Sequence, residues 1–483
     1  MVGRGLYRPG ERLPSIRELS RKLHVGINTV AQAYQLLEDA GTVEARPQSG
    51  HFVPCHAYRC PEKPVRSPGN DLKPNLVTIG DGHLQIVRDI ADERLVPLGR
   101  GAPSVDILPA DKLNRMLAAQ ARRAAAACVS YAPSNGLARL RAQIARRSLD
   151  YGCSLEAENI VVTSGCVEAV HLALLATCHP GDTIVVESPV YYTFLSSIQW
   201  LGLKVLEVPA TAQDGLSLDV LSYVLQQRKV QACLVISNYN NPLGGVMPDA
   251  KKRELVRLLA KHEIPLIEDD VYGDLGFAGV RPSVFKAYDE DELVLLCSSF
   301  SKTLAPGYRV GWIAPGRFRQ RVDGLKRLFN LATATPTQLA ISEFLCEGGY
   351  DRHLRATRRV LAQRAGEMCD SVLRHFPPGT RITSPAGGYF LWVEMPEDVD
   401  AYQLHRAAIG EGISIAPGML FTLGPKLGHC LRLNCSFPFE RCEKAIATLG
   451  HLAGGLAGGS RERMGDARSV AGSTAARAQL RRS

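Results

Sequence analysis

The stretch that decides the reading is Ser298-Ser299-Phe300-Ser301-Lys302-Thr303-Leu304-Ala305-Pro306-Gly307-Tyr308-Arg309-Val310-Gly311-Trp312. It follows an apolar run of strand length, Leu293–Cys297. Ligands of open α/β sheets bind beyond the carboxyl ends of the strands, which is where this lysine falls. Three more runs end in polar turns. Thr183–Glu187 leads to Pro189-Val190-Tyr191-Tyr192, Ala232–Ile236 to Asn240-Asn241-Pro242-Leu243-Gly244, and Pro265–Glu268 to Asp269-Asp270-Val271-Tyr272. Another, Asn159–Val162, passes through Thr163-Ser164-Gly165-Cys166 into a helical pattern of Val167, Val170, His171 and Leu174. A small-residue turn at a helix start can cradle phosphate through backbone N–H groups and the helix dipole. Runs alternating with helical patterns over residues 96–453 predict an α/β domain with one crevice.

The residue types gathered there suit one chemistry. A lysine amine forms a Schiff base with an aldehyde, and a carboxylate beside a ring nitrogen keeps a pyridinium protonated. An Asn and a Tyr can hold a ring hydroxyl, an aromatic can stack on the ring, and an Arg can pair with a phosphate in bidentate fashion. The set reads as a pyridoxal phosphate site.

The lysine motif resembles that of the fold-type I aminotransferases of class I and II. The resemblance implies a large domain with a mainly parallel seven-stranded sheet and a smaller α/β domain. By position, Lys302 resembles the lysine that holds the cofactor and is the catalytic residue. Asp269, three residues before Tyr272, resembles the pyridinium partner. Tyr272 and Asn241 resemble ligands of the ring hydroxyl, and Tyr191 the stacking aromatic. Ser299 and Arg309 resemble phosphate ligands, with backbone help near Cys166 and Val167. Tyr131 resembles a tyrosine that reaches the phosphate of the neighbouring subunit, which implies a homodimer. Arg432, in Leu431-Arg432-Leu433-Asn434, resembles the arginine that takes the α-carboxylate of an amino acid. Gly101 resembles the small residue at the substrate entrance. The family usually has Thr where this chain has Leu243, and Gly where it has Cys166, so Cys166 adds bulk at the phosphate turn.

The N-terminal piece has a different grammar. Ser15 is placed to cap a helix, with Glu18 three residues on, and Ile16, Leu19 and Leu23 share one face. After His24-Val25-Gly26-Ile27, Asn28 can cap a second helix with Val30, Ala33, Tyr34 and Leu37 inward. Gly41 ends it. Val43–Val53, around Pro47-Gln48-Ser49-Gly50, predicts a hairpin. Helix, turn, helix and hairpin make a winged helix-turn-helix, whose second helix enters the major groove of DNA.

The run Arg8-Pro9-Gly10-Glu11-Arg12-Leu13-Pro14-Ser15, with Asn28-Thr29-Val30 and Arg46 to Val53, resembles the GntR-type regulators. That resemblance assigns DNA contacts to Ser15 and Arg17, to Asn28, Thr29 and Gln32 at the start of the recognition helix, and to Arg46 and His51 on the wing. The family has a helix ahead of Pro9, and eight residues leave no room for it. A misassigned start or a truncated copy is the expectation, with Leu19, Val30 and Leu37 left open to water.

The chain has 483 residues, 57 basic against 48 acidic, for a net charge of +9. Residues 1–66 carry +4 of this, the tail 454–483 another +4, and the rest only +1. A basic end on a nearly neutral body points to a polyanion partner. Apolar content of 45% excludes a mainly disordered or disulfide-scaffold protein. Thirteen cysteines scattered through apolar segments suit reduced thiols in a cytoplasm. His51, Cys55, His56 and Cys60 cluster, but their spacing matches no zinc pattern, and no metal site is expected. Residues 1–53 read as the DNA-binding domain, 54–95 as a linker, 96–453 as the aminotransferase-like domain, and 454–483 as a disordered tail.

Head and body together resemble the MocR subfamily of bacterial regulators. The resemblance implies a pyridoxal phosphate-binding regulator of operator DNA that senses an amino acid or amine. The alternative is a working aminotransferase with a vestigial head.

Overall fold

A computed structural model of the chain describes residues 12–39, 43–46, 50–52, 72–424 and 426–457. The first unit contains α1 (Ile16–Leu23), α2 (Ile27–Asp39) and an antiparallel hairpin of β1 (Glu44–Arg46) and β2 (Gly50–Phe52). Ser15 does cap α1, its hydroxyl accepting the Glu18 N–H at 3.2 Å. The second helix starts at Ile27, so Asn28 lies inside its first turn rather than capping it. The Gly26 carbonyl accepts the first helical bond, from Val30.

Leu13, Val30, Tyr34 and Val43 form the small core, with Ile16 and Leu19 against its side. The Tyr34 hydroxyl donates to the Pro14 carbonyl at 2.6 Å and its ring rests on His51, 4.5 Å between centroids. Val30 is therefore buried and Leu19 partly so, contrary to the expected exposure, because Leu13 and Val43 close over them from outside the helix pair. Ala33, expected inward, is exposed, and Leu37 is open to water as expected of an uncovered face, since that core covers only one side of α2. Gly41, the hairpin turn 47–49, and Cys55, His56 and Cys60 lie outside the described residues.

The body begins earlier than its periodicity suggests. Within the stretch read as linker, β3 (Asn75–Leu76) and α3 (Asp81–Ala91) are folded parts of it. Ile86 and Ile90 are the only buried anchors of α3, too few for a periodic signal. There follow α4 (Ala110–Arg123), α5 (Ala125–Cys128), α6 (Ala138–Ser148), β4 (Val161–Thr163), α7 (Cys166–Thr177), β5 (Thr183–Ser188) and α8 (Tyr192–Trp200). Next come β6 (Lys204–Thr211), β7 (Gly215–Leu216), α9 (Leu218–Gln227), β8 (Ala232–Ile236), α10 (Asp249–Lys261), β9 (Leu266–Asp269), β10 (Val294–Ser299), β11 (Gly311–Ala314), α11 (Arg319–Asn330), α12 (Thr335–Cys346) and α13 (Gly349–His375). The chain continues through β12 (Arg381–Ile382), β13 (Phe390–Glu394), α14 (Ala401–Gly410), β14 (Ala416–Pro417) and β15 (Cys430–Asn434). A helix over 439–457 continues past residue 454, where the sequence suggests a fraying tail.

The seven expected strands run β6-β5-β8-β9-β10-β11-β4, with β3 added at one edge and β7 paired to β6. The five from β6 to β10 are parallel, and β11 is antiparallel to both its neighbours. Helices cover both faces, which is why these strands read as unbroken apolar runs. On β5, Ile184 and Val186 join the core beside α7, whereas Val185 joins the opposite core with Leu221, Leu255 and Leu259 of α9 and α10. The smaller sheet, β12-β13-β15-β14, is antiparallel and has its own core with α13 and α14.

Behind the β9 turn lies a buried clamp. Arg281 pairs with Asp270 and, at 2.8 Å, with Asp274, and Asn238 donates to Asp270 at 2.8 Å. Tyr350 also donates to Asp274, at 2.8 Å, and its oxygen meets the Thr303 hydroxyl at 3.0 Å, beside Lys302. Removing one partner of a buried ion pair strands the other charge and costs about 3–5 kcal/mol. Arg281→Ala should therefore lower the urea midpoint of the body markedly, and an unchanged midpoint would show that the clamp carries no such load.

Candidate functional site

The expected crevice opens at the carboxyl ends of β4, β5, β8, β9 and β10. Asp269, the last residue of β9, is buried. Its Oδ1 accepts the Val271 N–H at 3.2 Å and the Cys166 thiol at 3.3 Å. Burial pushes this carboxyl up to about 7, with Asp270 adding to the effect and the Cys166 bond and the Lys302 charge opposing it. Lys302 follows β10, and its Nζ donates to the Gly101 carbonyl at 2.9 Å. Loss of water around the amine brings it down to about 8; Asp269 resists the shift, and the Arg432 and Arg309 charges add to it. An amine near 8 keeps a usable neutral fraction at pH 7 to 8, which a nucleophilic lysine requires.

Tyr272 is buried, and its hydroxyl receives the Asn241 amide at 3.4 Å. Arg432 reaches in from β15 with no exposed surface. Its Nη1 donates to Asn241 Oδ1 at 2.8 Å and its Nη2 to the Gly99 carbonyl at 2.6 Å, while its Nε has no acceptor. Asn241 thereby ties the phenol to the guanidinium. Tyr191 stands just before α8, its ring 5.0 Å from Tyr192 and 5.3 Å from Phe194.

The turn ahead of α7 has the form of an anion cradle. The first N–H groups of any helix lack intrahelical acceptors, and here they belong to Cys166 and Val167 at the head of a twelve-residue helix. Gly165 holds φ at 101°, and a Cβ there would come 2.3 Å from Arg309 Nη2. Only bare backbone fits between the turn and this guanidinium, which donates to the Ser164 carbonyl at 2.8 Å. Ser299 is buried close by in sequence, its hydroxyl accepting the Ser301 N–H at 3.3 Å. Beneath, Glu168 accepts from the Ser164 N–H, from Asn330 at 2.8 Å and from the buried Lys326 at 3.0 Å. The donor set suits pyridoxal phosphate: an amine for the aldehyde, an acid for the ring nitrogen, and a cationic, N–H-lined cradle for the phosphate.

Most of the residues singled out from the sequence come together here, and Gly101 contributes its carbonyl. Tyr131 does not join them, being 84% exposed. Sequence reasoning missed Tyr389, whose hydroxyl shares the Gly101 carbonyl at 3.2 Å and whose ring stands edge-on to Tyr272. It also missed Glu187, which holds the Asn240–Asn241 turn by accepting from Asn240 at 2.8 Å and the Ile236 N–H at 2.9 Å. Burial raises that carboxyl to about 8. The pair Gly387-Gly388 ahead of Tyr389 was the available signal, for a Cβ at 387 would strike the Tyr239 ring.

In the head, Arg17, Asn28, Thr29 and Gln32 are exposed. His51 is half-buried against Tyr34, and the side chain of Arg46 lies outside the described residues. Among the described residues, eleven cysteines are reduced thiols outside any disulfide, no group of His, Cys, Asp and Glu could hold a metal, and no helix is long and apolar enough to cross a membrane.

Comparison with known proteins agrees with both units. Residues 93–449 match the model for aminotransferase class I and II, and residues 1–53 match that for bacterial regulatory proteins of the gntR family. Two Escherichia coli proteins described as uncharacterized HTH-type transcriptional regulators, YjiR and YdcR, are 38% and 39% identical. Each alignment covers 93% of this chain, and 95% and 96% of the relative. The α-aminoadipate aminotransferase LysN of Thermus thermophilus superposes with a TM-score of 0.72 at 27% identity, over 78% of this chain and 97% of that one. A multiple substrate aminotransferase of Thermococcus profundus shares the fold with a TM-score of 0.73 at 23% identity, over 79% and 96%. The chain belongs to the class I and II aminotransferase family, whose fold uses pyridoxal phosphate, and within it to the MocR-type transcriptional regulators that carry a GntR head.

Proposed function

We propose that this pyridoxal phosphate-binding transcriptional regulator works in the cytoplasm as a homodimer, senses an amino acid or amine in its aminotransferase-like body, and binds operator DNA through its head. The observation that supports the reading is the convergence of Lys302 and Arg432 on the Gly99–Gly101 carbonyls, with Asp269 close enough for the Lys302 charge to act on it. When bound, the cofactor supplies an aldehyde that captures amines and a pyridinium that withdraws electrons. Lys302 would hold it, and Asp269 would keep a proton on the ring nitrogen. Tyr272 and Asn241 would hold the ring hydroxyl, with Tyr191 against the ring face. Arg309, Ser299 and the N–H groups of Cys166 and Val167 would hold the phosphate, joined by Tyr131 of a second copy. Arg432 would take the effector's carboxylate, with Gly101 leaving room at the entrance.

An effector that binds two states of the body unequally shifts their populations, and that difference is what can bias the heads. On DNA, Ser15, Arg17 and the exposed Asn28, Thr29 and Gln32 would make the contacts, with Arg46 and His51 on the wing. The site residues that come together also suit a working aminotransferase, which would release keto acid steadily and leave DNA unshifted.

Lys302→Ala should lose the borohydride-trappable adduct seen in the parent, and an adduct that persists would refute the lysine assignment. The rate at which apoprotein takes up pyridoxal phosphate should climb as pH rises through about 8 and level off above it, because only the deprotonated amine reacts and burial has moved its titration there. A climb that continues toward 10 would mean an ordinary, solvated lysine. Arg17→Ala should weaken operator binding in a gel shift without altering cofactor content, and equal binding would count against the docking of α1.

A further inference from the structure

We infer that Cys166 is a positioning residue for the cofactor's ring nitrogen: its thiol pins one oxygen of the Asp269 carboxylate and leaves the other for the ring N–H. The inference rests on the reading of Asp269 above and deepens it.

An aspartate carboxyl turns easily about its last side-chain bond, because the wells of that torsion are broad. Asp269 is held against such turning by two donors, both on Oδ1. One is the Val271 N–H at 3.2 Å, within its own turn, and the other is the Cys166 thiol at 3.3 Å, 103 residues back in the chain. Neither bond uses Oδ2. The local bond ties the acid only to its own turn, whereas the thiol ties it to α7. Cys166 and Asp269 are 8% and 5% exposed, so water competes little for either group. Burial, with the Asp269 charge adding to it, holds the thiol well above its usual titration. The thiol therefore keeps its proton and acts as the donor. In return, the bond opposes the upward push of burial on the Asp269 carboxyl.

The thiol leaves from a fixed point. Cys166 is the first residue of α7, and Gly165 before it holds φ at 101°. A Cβ at Gly311 of β11 would come 2.5 Å from the Gly165 carbonyl carbon and 2.8 Å from the Cys166 nitrogen. Strand and helix start meet there through bare backbone. The bulk that Cys166 brings to the phosphate turn thus reaches Asp269, and one residue serves both ends of the site. Its N–H belongs to the anion cradle and its side chain to the acid. Cys297 is a second buried thiol nearby, paired with Asp269 across the sheet, yet its Sγ meets the Leu295 carbonyl at 3.8 Å instead.

Titrating the full-length apoprotein with pyridoxal phosphate and with pyridoxal, and following the cofactor absorbance, tests this. Pyridoxal keeps the aldehyde and the ring nitrogen but lacks the phosphate. Cys166→Ala should raise the dissociation constants of both by the same factor, roughly 3- to 10-fold for one hydrogen bond of ordinary net strength. Cys166→Gly, a second variant without a donor, should do the same. Cys166→Ser, close to alanine in size but with a hydroxyl donor, should stay within about 2-fold of the parent. Alanine and serine variants that weaken binding equally would mean that the thiol only fills space, and an alanine variant that binds as the parent does would leave it no role; either overturns the inference. A loss confined to pyridoxal phosphate places the effect at the phosphate turn and overturns it too. Asp269→Ala protein that binds both compounds as tightly as the parent overturns the reading of Asp269 itself, and this inference with it.

Discussion

Lys302 and Asp269 share a crevice with little water, and the scaffold meets the cost of holding them there. Charges in such a place are stable only with opposite charges or hydrogen-bond donors close by. Each group has what it needs at the end of a different strand. The Gly101 carbonyl receives the amine, and the Val271 N–H and the Cys166 thiol support the acid. Their mutual attraction restrains both titrations without cancelling either shift. Both groups consequently titrate near neutral pH, where a regulator must respond.

The parallel arrangement of β5, β8, β9 and β10 places the turns after them on one side of the sheet. Because both faces of the sheet are covered, the strands could be read from the sequence as apolar runs, each stopping at its functional turn. The turn before α7 was legible for another reason. Gly165 and Gly311 leave no room for side chains between the helix start and Arg309, so small residues are required at those positions.

What stayed hidden depends on contacts across long separations in sequence. Glu187 sits inside a strand-like run with no local signature, and Tyr389 has only the Gly387-Gly388 pair ahead of it; their roles come from Asn240 and Gly101, 53 and 288 residues away. The helix α3 was read as linker because two isoleucines secure it, and their partners, Tyr192, Trp392 and Phe421, come from distant segments. In the head, the pattern of α2 correctly marked Val30 and Tyr34 as core but overstated its width. Periodicity reports that a face is apolar, not that something covers it.

Asp269 and Asp270 are adjacent acids, and the fold has divided their labour. Arg281 and Asn238 claim Asp270, so the site has one carboxylate to work with rather than two. The identity of a residue on the far side of the turn thus helps decide how much negative charge the crevice holds. A genetic screen for loss of effector response would be expected to return lesions at position 281 alongside those at 269. They would look like faults in vitamin binding although Arg281 belongs to the clamp behind the crevice.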